Sequence, residues 1–268
     1  MTVHDYIAAK QVAGFDLHLH DGVWWQTLRR GYCKPAIPLE EVDPAKQRPA
    51  FAKMAIGFAH RVPEDAPRSG YWRHLVVRQP QVAEFALEKL ESKRRSSIRK
   101  ALRNNEIIRI DDLDRYRRDM TDIVISTAIR NKKGHLPEYY RDSNDEWWQS
   151  IRRVSGFTEF WGAIHEGRMV AYTAIQVAGR RAVFDASKSM TEYFRARPND
   201  ALRFTLLESC KARGNVDEII SGGWSADKPT LNTFKESFGF SGQNIPFIRK
   251  MCFGLFKNPV RAPGHVDA

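Results

Sequence analysis

The segment Glu218–Phe240, EIISGGWSADKPTLNTFKESFGF, decides the fold class that we predict for this chain. Residues 218–221 favour a short buried strand, and the two glycines that follow end it in a loop. A helix is predicted from Pro229 to Phe238, because proline is favoured at a helix start and Gly239 ends it. A strand joined to a helix in this way predicts the βαβ back of a mixed α/β domain.

The predicted helix has one apolar side, which we expect to face the core. Leu231, Phe234 and Phe238 form that side at helical spacing. Lys235 would then project away from the core as a candidate substrate-binding residue that holds a phosphate. The alternative for Lys235 is a solvated surface lysine.

The neighbouring elements complete one domain with the order strand, strand, strand, helix, strand, helix, strand. The helix before the opening segment is predicted to begin at Asn199 or Asp200 as N-cap and to end at Gly214. The flanking strands follow from their β-branched and aromatic residues. Their predicted ranges are 157–164, 169–177, 182–187 and 245–253.

A heptapeptide occurs twice, as WWQTLRR at 24–30 and as WWQSIRR at 147–153, with five identical positions. The two copies are separated by nearly half the chain, which favours a duplicated lobe. We expect both copies to be helical and their tryptophans to pack in a core. The predicted organisation is a lobe at 1–105 that ends in a basic helix, a lobe at 106–256 and a flexible tail at 257–268.

The composition excludes several classes of protein. The chain has 268 residues, of which 42% are hydrophobic, so it can bury a substantial core and is neither disordered, collagen-like nor disulfide-stapled. Cys33, Cys210 and Cys252 are far apart and build no metal or disulfide pattern. We therefore expect a reduced, cytoplasmic chain, without a leader or a membrane span.

Positive charge is concentrated in one segment. The chain carries a formal net charge of +11, and Ser92–Arg103 contains six cations and no acid. Residues 81–104 are predicted to be helical, which stacks Arg95, Arg99 and Arg103 along one line. Three guanidinium groups in a row repel one another unless an anion is present, so we predict a phosphate or polyanion site. The alternative is a solvated helix face.

Two motifs carry a resemblance to a known family. KRRSSIRKA at 93–101, followed by FKESFGF at 234–240, resemble in this order the GNAT-type acyltransferases, and more narrowly their double-lobed Fem-type aminoacyltransferase branch. The resemblance covers most of residues 85–250. It implies an α/β (α+β) chain of two GNAT-like lobes, each a mixed, mostly antiparallel sheet flanked by helices. It also implies transfer of an acyl or aminoacyl group from acyl-CoA (such as acetyl-CoA) or aminoacyl-tRNA to an amine on a small molecule or peptide.

The expected pyrophosphate loop of that family aligns with residues 195–201, RARPNDA, where both glycines are missing. Pro198 removes one backbone N–H, and Asp200 repels phosphate. The helix N-terminus remains, and arginine side chains can restore contacts with an anion. The candidate cofactor-binding residues are Arg195, Arg197, Asn199 and Ala201.

The reaction that the resemblance implies needs a proton acceptor and substrate contacts, and residues on and after the strand at 182–187 are placed to supply them. Asp185 is the candidate base that takes the amine proton; its alternative is a polar, solvent-facing strand residue. Tyr193 is the candidate acid for the leaving group, or it packs against the loop. Ser187 and Lys188 are candidate substrate contacts. Trp224, after a glycine pair at a strand end, is a further candidate that stacks on a ring or covers the core.

Other chemistries have weaker support. His18 and His20 lie on one face of a predicted strand, but no third ligand follows at useful spacing, so we predict no metal. A non-catalytic GNAT-like module that binds nucleic acid or another polyanion is the alternative function. The acceptor, the donor, the acyl group, the pathway and the oligomeric state are left open by the sequence.

Overall fold

The computed structural model describes residues 1–54, 56–131, 139–140 and 145–251. The chain forms two compact units, each discontinuous in sequence. In the described part, the first unit comprises 1–74, 223–225 and 242–251, and the second comprises 75–222 and 226–241. The predicted boundary at residue 105 therefore falls inside the second unit, and the predicted tail lies outside the described residues.

The first unit is a mixed sheet with a helix at its beginning. Its strand order is β1-β2-β3-β4-β11-β5, in which β3 and β4 are parallel and the pairs β1–β2, β2–β3 and β4–β11 are antiparallel. The helix is stabilised at its start by a capping box between Thr2 and Asp5. The elements are α1 Val3–Val12, β1 Leu17–His20, β2 Val23–Leu28, β3 Tyr32–Pro35, β4 Gly57–Arg61, the beginning of β5 Gly70–Arg78, and β11 Ser241–Met251.

The second unit is a mixed, mostly antiparallel sheet flanked by helices. Its order is β5-β10-β9-β8-β7-β6, with antiparallel pairing from β6 to β9 and parallel pairing of β10 with β9. After β5, its helices are α2 Gln81–Glu84, α3 Ser92–Asn104, α4 Arg117–Arg130, α5 Glu146–Val154, α6 Pro198–Ala212 and α7 Pro229–Glu236. Its strands are β6 Glu106–Arg109, β7 Glu159–His165, β8 Arg168–Ala178, β9 Arg181–Ser189 and β10 Glu218–Gly223.

Helices cover both faces of the second sheet. A cluster with Met120, Trp148 and Tyr172 packs α4 and α5 against one face. Leu202 of α6 packs with Ala171, which precedes Tyr172 in β8. Successive strand residues point to opposite faces, so α6 lies on the other face of the sheet. The predicted fold class, a mixed α/β chain of two lobes, is confirmed by these two units.

The repeated heptapeptide is not a structural repeat. Its first copy lies mainly in strand β2, whereas its second copy lies in helix α5. The prediction that both copies are helical is therefore wrong for the first copy, because pairing with β1 and β3 decides its conformation. The packing role is confirmed by Trp25 and Trp148, which are fully buried.

The predicted helix at 81–104 is interrupted. The chain forms the short helix α2, a 3₁₀ turn at Leu87–Lys89, and then α3. Arg95 in α3 donates from Nη1 to the carbonyl oxygen of Leu90 at 2.6 Å. This contact holds Leu90, whose backbone is extended, just before α3 begins. Helical periodicity in the sequence does not predict this interruption.

The cysteines and the helices bear on two of the general expectations. Cys33 and Cys210 are buried and form no disulfide within the described residues, while Cys252 lies outside them. Within the described ranges, no helix combines the length and the apolar character that crossing a membrane requires.

Candidate functional site

Strands β9 and β10 separate partway along their length. Their parallel ladder runs from the pair Arg181–Glu218 to the pair Val183–Ile220. Beyond it, β9 stays paired with β8 as far as Ser189, and β10 continues to Gly223. The carboxyl ends of two neighbouring parallel strands thus part at Ser221, and such openings are where α/β sheets bind ligands.

Lys235 lies at this opening and points inward. Its side chain is only 9% exposed, and Nζ donates to the carbonyl oxygen of Ser221. Burial, and then the nearby charges of Arg203 and Lys228, lower the pKa of Lys235 to about 8. Lys235 therefore carries a buried ammonium group that loses its proton more readily than that of an ordinary lysine.

The position of Lys235 corrects the predicted orientation of the second helix. The buried side of α7 carries Asn232 and Lys235, whereas Leu231 is 43% exposed. Phe238 is fully buried as predicted and Phe234 is half-buried, so the prediction is wrong for Leu231 and for the lysine, which was expected to project outward and takes an inward position. The hydrogen bond from Lys235 to Ser221 of β10 accompanies this inward position.

Arg203 of α6 is the second buried cation at Ser221. Its Nη1 donates to the Ser221 Oγ at 2.9 Å, and its guanidinium carbon lies 4.0 Å from the ring centroid of Phe184. Burial lowers the pKa of Arg203 to about 10. Among the described residues, neither Arg203 nor Lys235 forms an ion pair with a carboxylate. Two buried cations of this kind favour an anionic ligand or a developing oxyanion.

Asp185, the predicted base, sits at a β-bulge in β9. Ala186 pairs with Ala174 and Phe184 pairs with Ile175, so Asp185 is the extra residue between them. Its exposed carboxylate accepts a hydrogen bond from the Nε2 of Gln176 at 3.3 Å. A bulge redirects a side chain, and bulges are frequent beside active sites.

Asp185 and the two buried cations are on opposite faces of the sheet. Gln176, which binds Asp185, follows Ile175 in β8, and Ile175 pairs with Phe184. Phe184 packs against Arg203 on the face that α6 covers. The structure therefore gives the opening between β9 and β10 a carboxylate on one face and two cations on the other.

The two residues after the bulge are divided between these faces. Ser187 Oγ lies 3.1 Å from Thr173 Oγ1, on the same face as Phe184. Lys188 pairs with the buried Tyr172 on the face of Asp185, and its Nζ lies 5.7 Å from the ring centroid of Tyr140. Burial raises the pKa of Tyr172, whose hydroxyl stays protonated. Asp185 and Lys188 thus lie on the same face.

Tyr193, the predicted acid, is half-buried beside two other side chains. Its ring meets His165 edge-on with centroids 5.7 Å apart. The neighbouring Arg168, whose side chain interacts with Tyr193, pairs with Asp122 at 2.6 Å. Tyr193 is thus packed between an imidazole ring and a paired guanidinium group.

The loop at 195–201 leads into α6 differently from the prediction. The N-cap is Arg197, in the left-handed conformation with φ 58°, and Pro198 occupies the first turn. The expected caps, Asn199 and Asp200, lie inside the helix, which corrects the predicted start. Proline is favoured at that position because its missing N–H has no helical partner there.

Asp200 is neutralised within the fold. It is buried and forms an ion pair with Arg94 of α3. Burial raises the pKa of Asp200, which Arg94 and Arg197 oppose. The repulsion of phosphate that we predicted for this residue is therefore offset by a cation from α3.

The four candidate cofactor-binding residues have different surroundings. Arg195 and Arg197 are exposed, and Arg197 Nη1 donates to Ser97 Oγ of α3 at 2.9 Å. Asn199 Nδ2 donates to Ser189 Oγ at 2.9 Å, and Ala201 is fully buried. The two arginines are thus the members of the set that present charge to solvent.

The basic helix α3 divides into buried and exposed cations. Arg94 packs toward α6 and α7, and Arg95 holds the carbonyl of Leu90. The exposed cations are Lys93, Arg99, Lys100 and Arg103. Of the predicted row of three arginines, Arg99 and Arg103 face solvent, while Arg95 is half-buried.

Trp224 belongs to the first unit rather than to this site. The guanidinium of Arg73 lies 3.7 Å from its ring centroid, and its amide donates to the Arg73 carbonyl. His18 and His20 also lie in the first unit, on β1. The part of the chain that the structure describes contains no group of three side chains suited to a metal ion.

Sequence reasoning missed Arg203, Ser221 and the structural use of Arg94. A signal for Arg203 was present, because it precedes Leu207 by four residues and Cys210 by seven. That spacing places a charged residue on the buried side of a helix. The partners of Ser221 and Arg94 come from distant segments and had no local signal.

The comparisons with known proteins agree with the fold. The crystal structure of FemX is similar, with a TM-score of 0.62 at 12% identity, over 92% of this chain and 90% of that one. The C-terminal domain of a putative lysylphosphatidylglycerol synthetase from Agrobacterium fabrum gives 0.58 at 12%, over 94% and 90%. L-PGS from Bacillus licheniformis gives 0.51 at 11%, over 91% and 90%. No family model and no curated protein matches the sequence.

The class that these observations define is a double-lobed protein with a Fem-like GNAT fold. The family resemblance that the two sequence motifs suggested is thus confirmed at the level of the fold. Because the identities are near 12%, the activity of this chain has to be argued from its own site.

Proposed function

We propose that this protein is an N-acyltransferase that moves an acyl or aminoacyl group from an activated ester or thioester to an amine. The observation that carries the proposal is the buried pair Lys235 and Arg203 at Ser221, where β9 and β10 separate. Donors of hydrogen bonds and positive charge in a water-poor opening stabilise the negative oxygen that develops during acyl transfer.

The reaction that we propose is direct aminolysis. The neutral amine attacks the carbonyl carbon and forms a tetrahedral intermediate, whose oxyanion is stabilised by Lys235. The C–O or C–S bond then breaks, the new C–N bond remains, and the leaving group takes a proton. Because the acyl group is already activated, positioning supplies much of the rate and no covalent enzyme intermediate is required.

The face of the sheet that carries Asp185 is our proposed acceptor side. Asp185 accepts the proton that the attacking amine loses, and Lys188, on the same face, is proposed to bind the acceptor. Ser187 lies on the face of the two cations and is proposed to contact the substrate from that side. The exposure of Asp185 at a bulge supports this role, because an acceptor amine can reach it. Tyr193 is the proposed source of the proton for the leaving group.

The charge of the site favours an aminoacyl-tRNA donor over acyl-CoA. In an aminoacyl-tRNA the ester and a phosphate belong to the same terminal nucleotide, whereas a long uncharged arm separates the CoA thioester from its phosphates. The opening suits the first arrangement, because Lys235 is placed to meet the reacting ester and the charge of Arg203 adds to the positive potential at the nearby phosphate. The exposed cations of α3 would bind further phosphates of a polyanion.

A CoA thioester is the alternative donor, with Arg195, Arg197, Asn199 and Ala201 around the N-terminus of α6. The helix dipole and the two exposed arginines support anion binding there.

Two of the similar folds are named for FemX and for a lysylphosphatidylglycerol synthetase, and the second name describes the attachment of a lysyl group. That name supports an aminoacyl donor by fold analogy.

The proposal is tested by measuring transfer to a panel of amines from aminoacyl-tRNA and from acetyl-CoA. Replacing Lys235 with Met should lower kcat by roughly 100-fold or more, the usual effect of losing one oxyanion donor. Lys46→Met is the matched control, because this lysine is 82% exposed and pairs only with Asp43 in the described contacts. Unchanged turnover in Lys235→Met would refute the site.

The alternative function, a non-catalytic module that binds a polyanion, gives a different result. Such a module would bind tRNA with strong salt dependence and would support no transfer from either donor. Transfer that is lost in Lys235→Met would exclude a non-catalytic module.

A further inference from the structure

Ser221 connects two buried cations through two different atoms. Its Oγ accepts a hydrogen bond from Arg203 Nη1 at 2.9 Å, and its carbonyl oxygen accepts one from Lys235 Nζ. The three residues come from α6, β10 and α7. Arg203 on α6 thereby helps to fix Ser221 on β10. Ser221 in turn holds Lys235 on α7.

We propose that Arg203 is a positioning residue for Lys235: it holds Ser221 in place and, by like charge, destabilises the cationic form of Lys235 until an anionic group binds. The inference rests on the proposed function, since it describes how the same site is regulated. Arg203 would then act on a ligand only through Ser221 and Lys235.

The surroundings of Arg203 support an indirect role. Its side chain is 6% exposed, and its guanidinium carbon lies 4.0 Å from the ring centroid of Phe184 and 5.7 Å from that of Phe240. With its Nη1 bound to Ser221, this group is enclosed by aromatic rings. Lys235 is the member of the pair that remains to meet a ligand.

The charged groups around Lys235 are mostly positive. Arg203 and Lys228 both lower its pKa after burial, the larger cause. Arg94 lies 4.9 Å from the ring centroid of Phe238, which follows α7, but its charge is paired with Asp200. The Cys210 thiol on α6 stays neutral because burial raises its pKa to about 12.

Binding of an anionic group at Lys235 is expected to be coupled to proton uptake. Because the pKa of free Lys235 is about 8, part of the protein carries a neutral amine at pH 8 to 9. An anionic group placed beside Lys235 favours the ammonium form, so its binding takes up a proton. Arg203 strengthens this coupling, since its charge lowers the proton affinity of the empty site.

The experiment follows the Lys235 side chain by NMR in the full-length protein. The ¹³Cε signals of labelled lysine are titrated with pH, and Lys235→Met assigns the signal. Arg203→Met should raise the titration midpoint of Lys235 by about one unit, the usual scale of one nearby charge. Arg203→Lys should keep the midpoint near that of the wild type. Arg118→Met, an exposed change of the same charge on α4, should leave it unchanged.

Ser221→Ala provides a second variant that removes only a hydroxyl. It keeps the carbonyl that Lys235 uses but releases Arg203, so the midpoint should rise by less than in Arg203→Met. Midpoints that stay at the wild-type value in both variants would overturn the inference.

The two proposals fail in different ways. If Arg203→Met raises the midpoint but no donor supports transfer, the positioning role stands and the proposed function fails. If Lys235→Met abolishes transfer while Arg203→Met changes neither the midpoint nor the pH profile of kcat, the positioning role fails and the function stands.

Discussion

Lys235 carries a positive charge inside the protein, where burying an ionised group costs free energy. The residue is 9% exposed, and its neighbour Arg203 is also positive. A lysine in such a place destabilises the folded state unless an anion compensates it, and residues of this kind are frequent at functional sites. The same contacts that suit Lys235 to an anionic ligand should therefore lower the stability of the free protein.

We expect Lys235→Met to be more stable than the wild type at pH 7, and the difference to shrink by pH 10. The pKa of Lys235 is about 8 in the folded state against 10.5 for an ordinary lysine. Between these values the unfolded state binds more protons, so wild-type stability rises with pH; below pH 8 both forms are protonated. The change is on the order of 3 kcal/mol.

Urea unfolding of both proteins at pH 7 and pH 10 measures this effect. A stability difference that is the same at both values would show that the Lys235 pKa is not lowered in the folded state.

The ion pair of Arg94 with Asp200 gives a second prediction at this scale. Both side chains are largely buried, so removing one partner leaves an unpaired charge. Arg94→Met should reduce the free energy of unfolding by roughly 3–5 kcal/mol, and the double variant with Asp200→Asn should recover part of that loss. Asp43→Asn, in a solvent-screened pair with Lys46, should change it much less.

Denaturant unfolding of the single, double and control variants decides this prediction. A double variant as unstable as the sum of its single changes would mean that the two residues do not interact.

Helix α3 has two functions that its charge pattern does not separate. Arg94 and Arg95 use their guanidinium groups inside the protein, on Asp200 and on the carbonyl of Leu90. Arg99 and Arg103 face solvent with two lysines. One part of the helix is thus pinned to its neighbours, while another presents positive charge outward.

Binding of tRNA at several salt concentrations tests this division. Replacing Arg99 and Arg103 with Gln should reduce the slope of log Kobs against log salt by about one for each lost phosphate contact. Arg95→Gln should lower the stability of the helix start and leave the slope nearly unchanged. Equal slope changes for Arg95 and Arg99 would place Arg95 in the phosphate site as well.

At the scale of the whole molecule, each unit is assembled from distant segments. Strand β4 of the first unit pairs with β11, whose residues follow more than 170 positions later in the chain. In the second unit, β10 joins β9 from beyond α6. A cut at the predicted boundary therefore separates strands that need each other.

We expect a fragment of residues 1–105 not to fold by itself. It lacks β11, so β4 loses its antiparallel partner and Ile248 is removed from the core around Trp25. Circular dichroism with urea unfolding should show no cooperative transition for the fragment, with the full chain as control. A cooperative transition of normal slope would contradict the arrangement of the first unit.

The sequence by itself determined the elements of the second unit around the opening segment. Strands β7 to β10 and helices α6 and α7 were predictable because alternation, helical periodicity and proline or glycine at the ends are local signals. The two sequence motifs also carried the family resemblance. Asp185 was identified on the correct strand, although its bulge depends on pairing with β8.

Only the tertiary structure decided the inward turn of Lys235, the second cation Arg203, the pairing of Arg94 with Asp200, and the division into units. The reason is physical: each depends on partners that are far away in sequence, which propensity and spacing do not encode. A lysine between two phenylalanines reads as exposed until a strand places a carbonyl within reach of its amine.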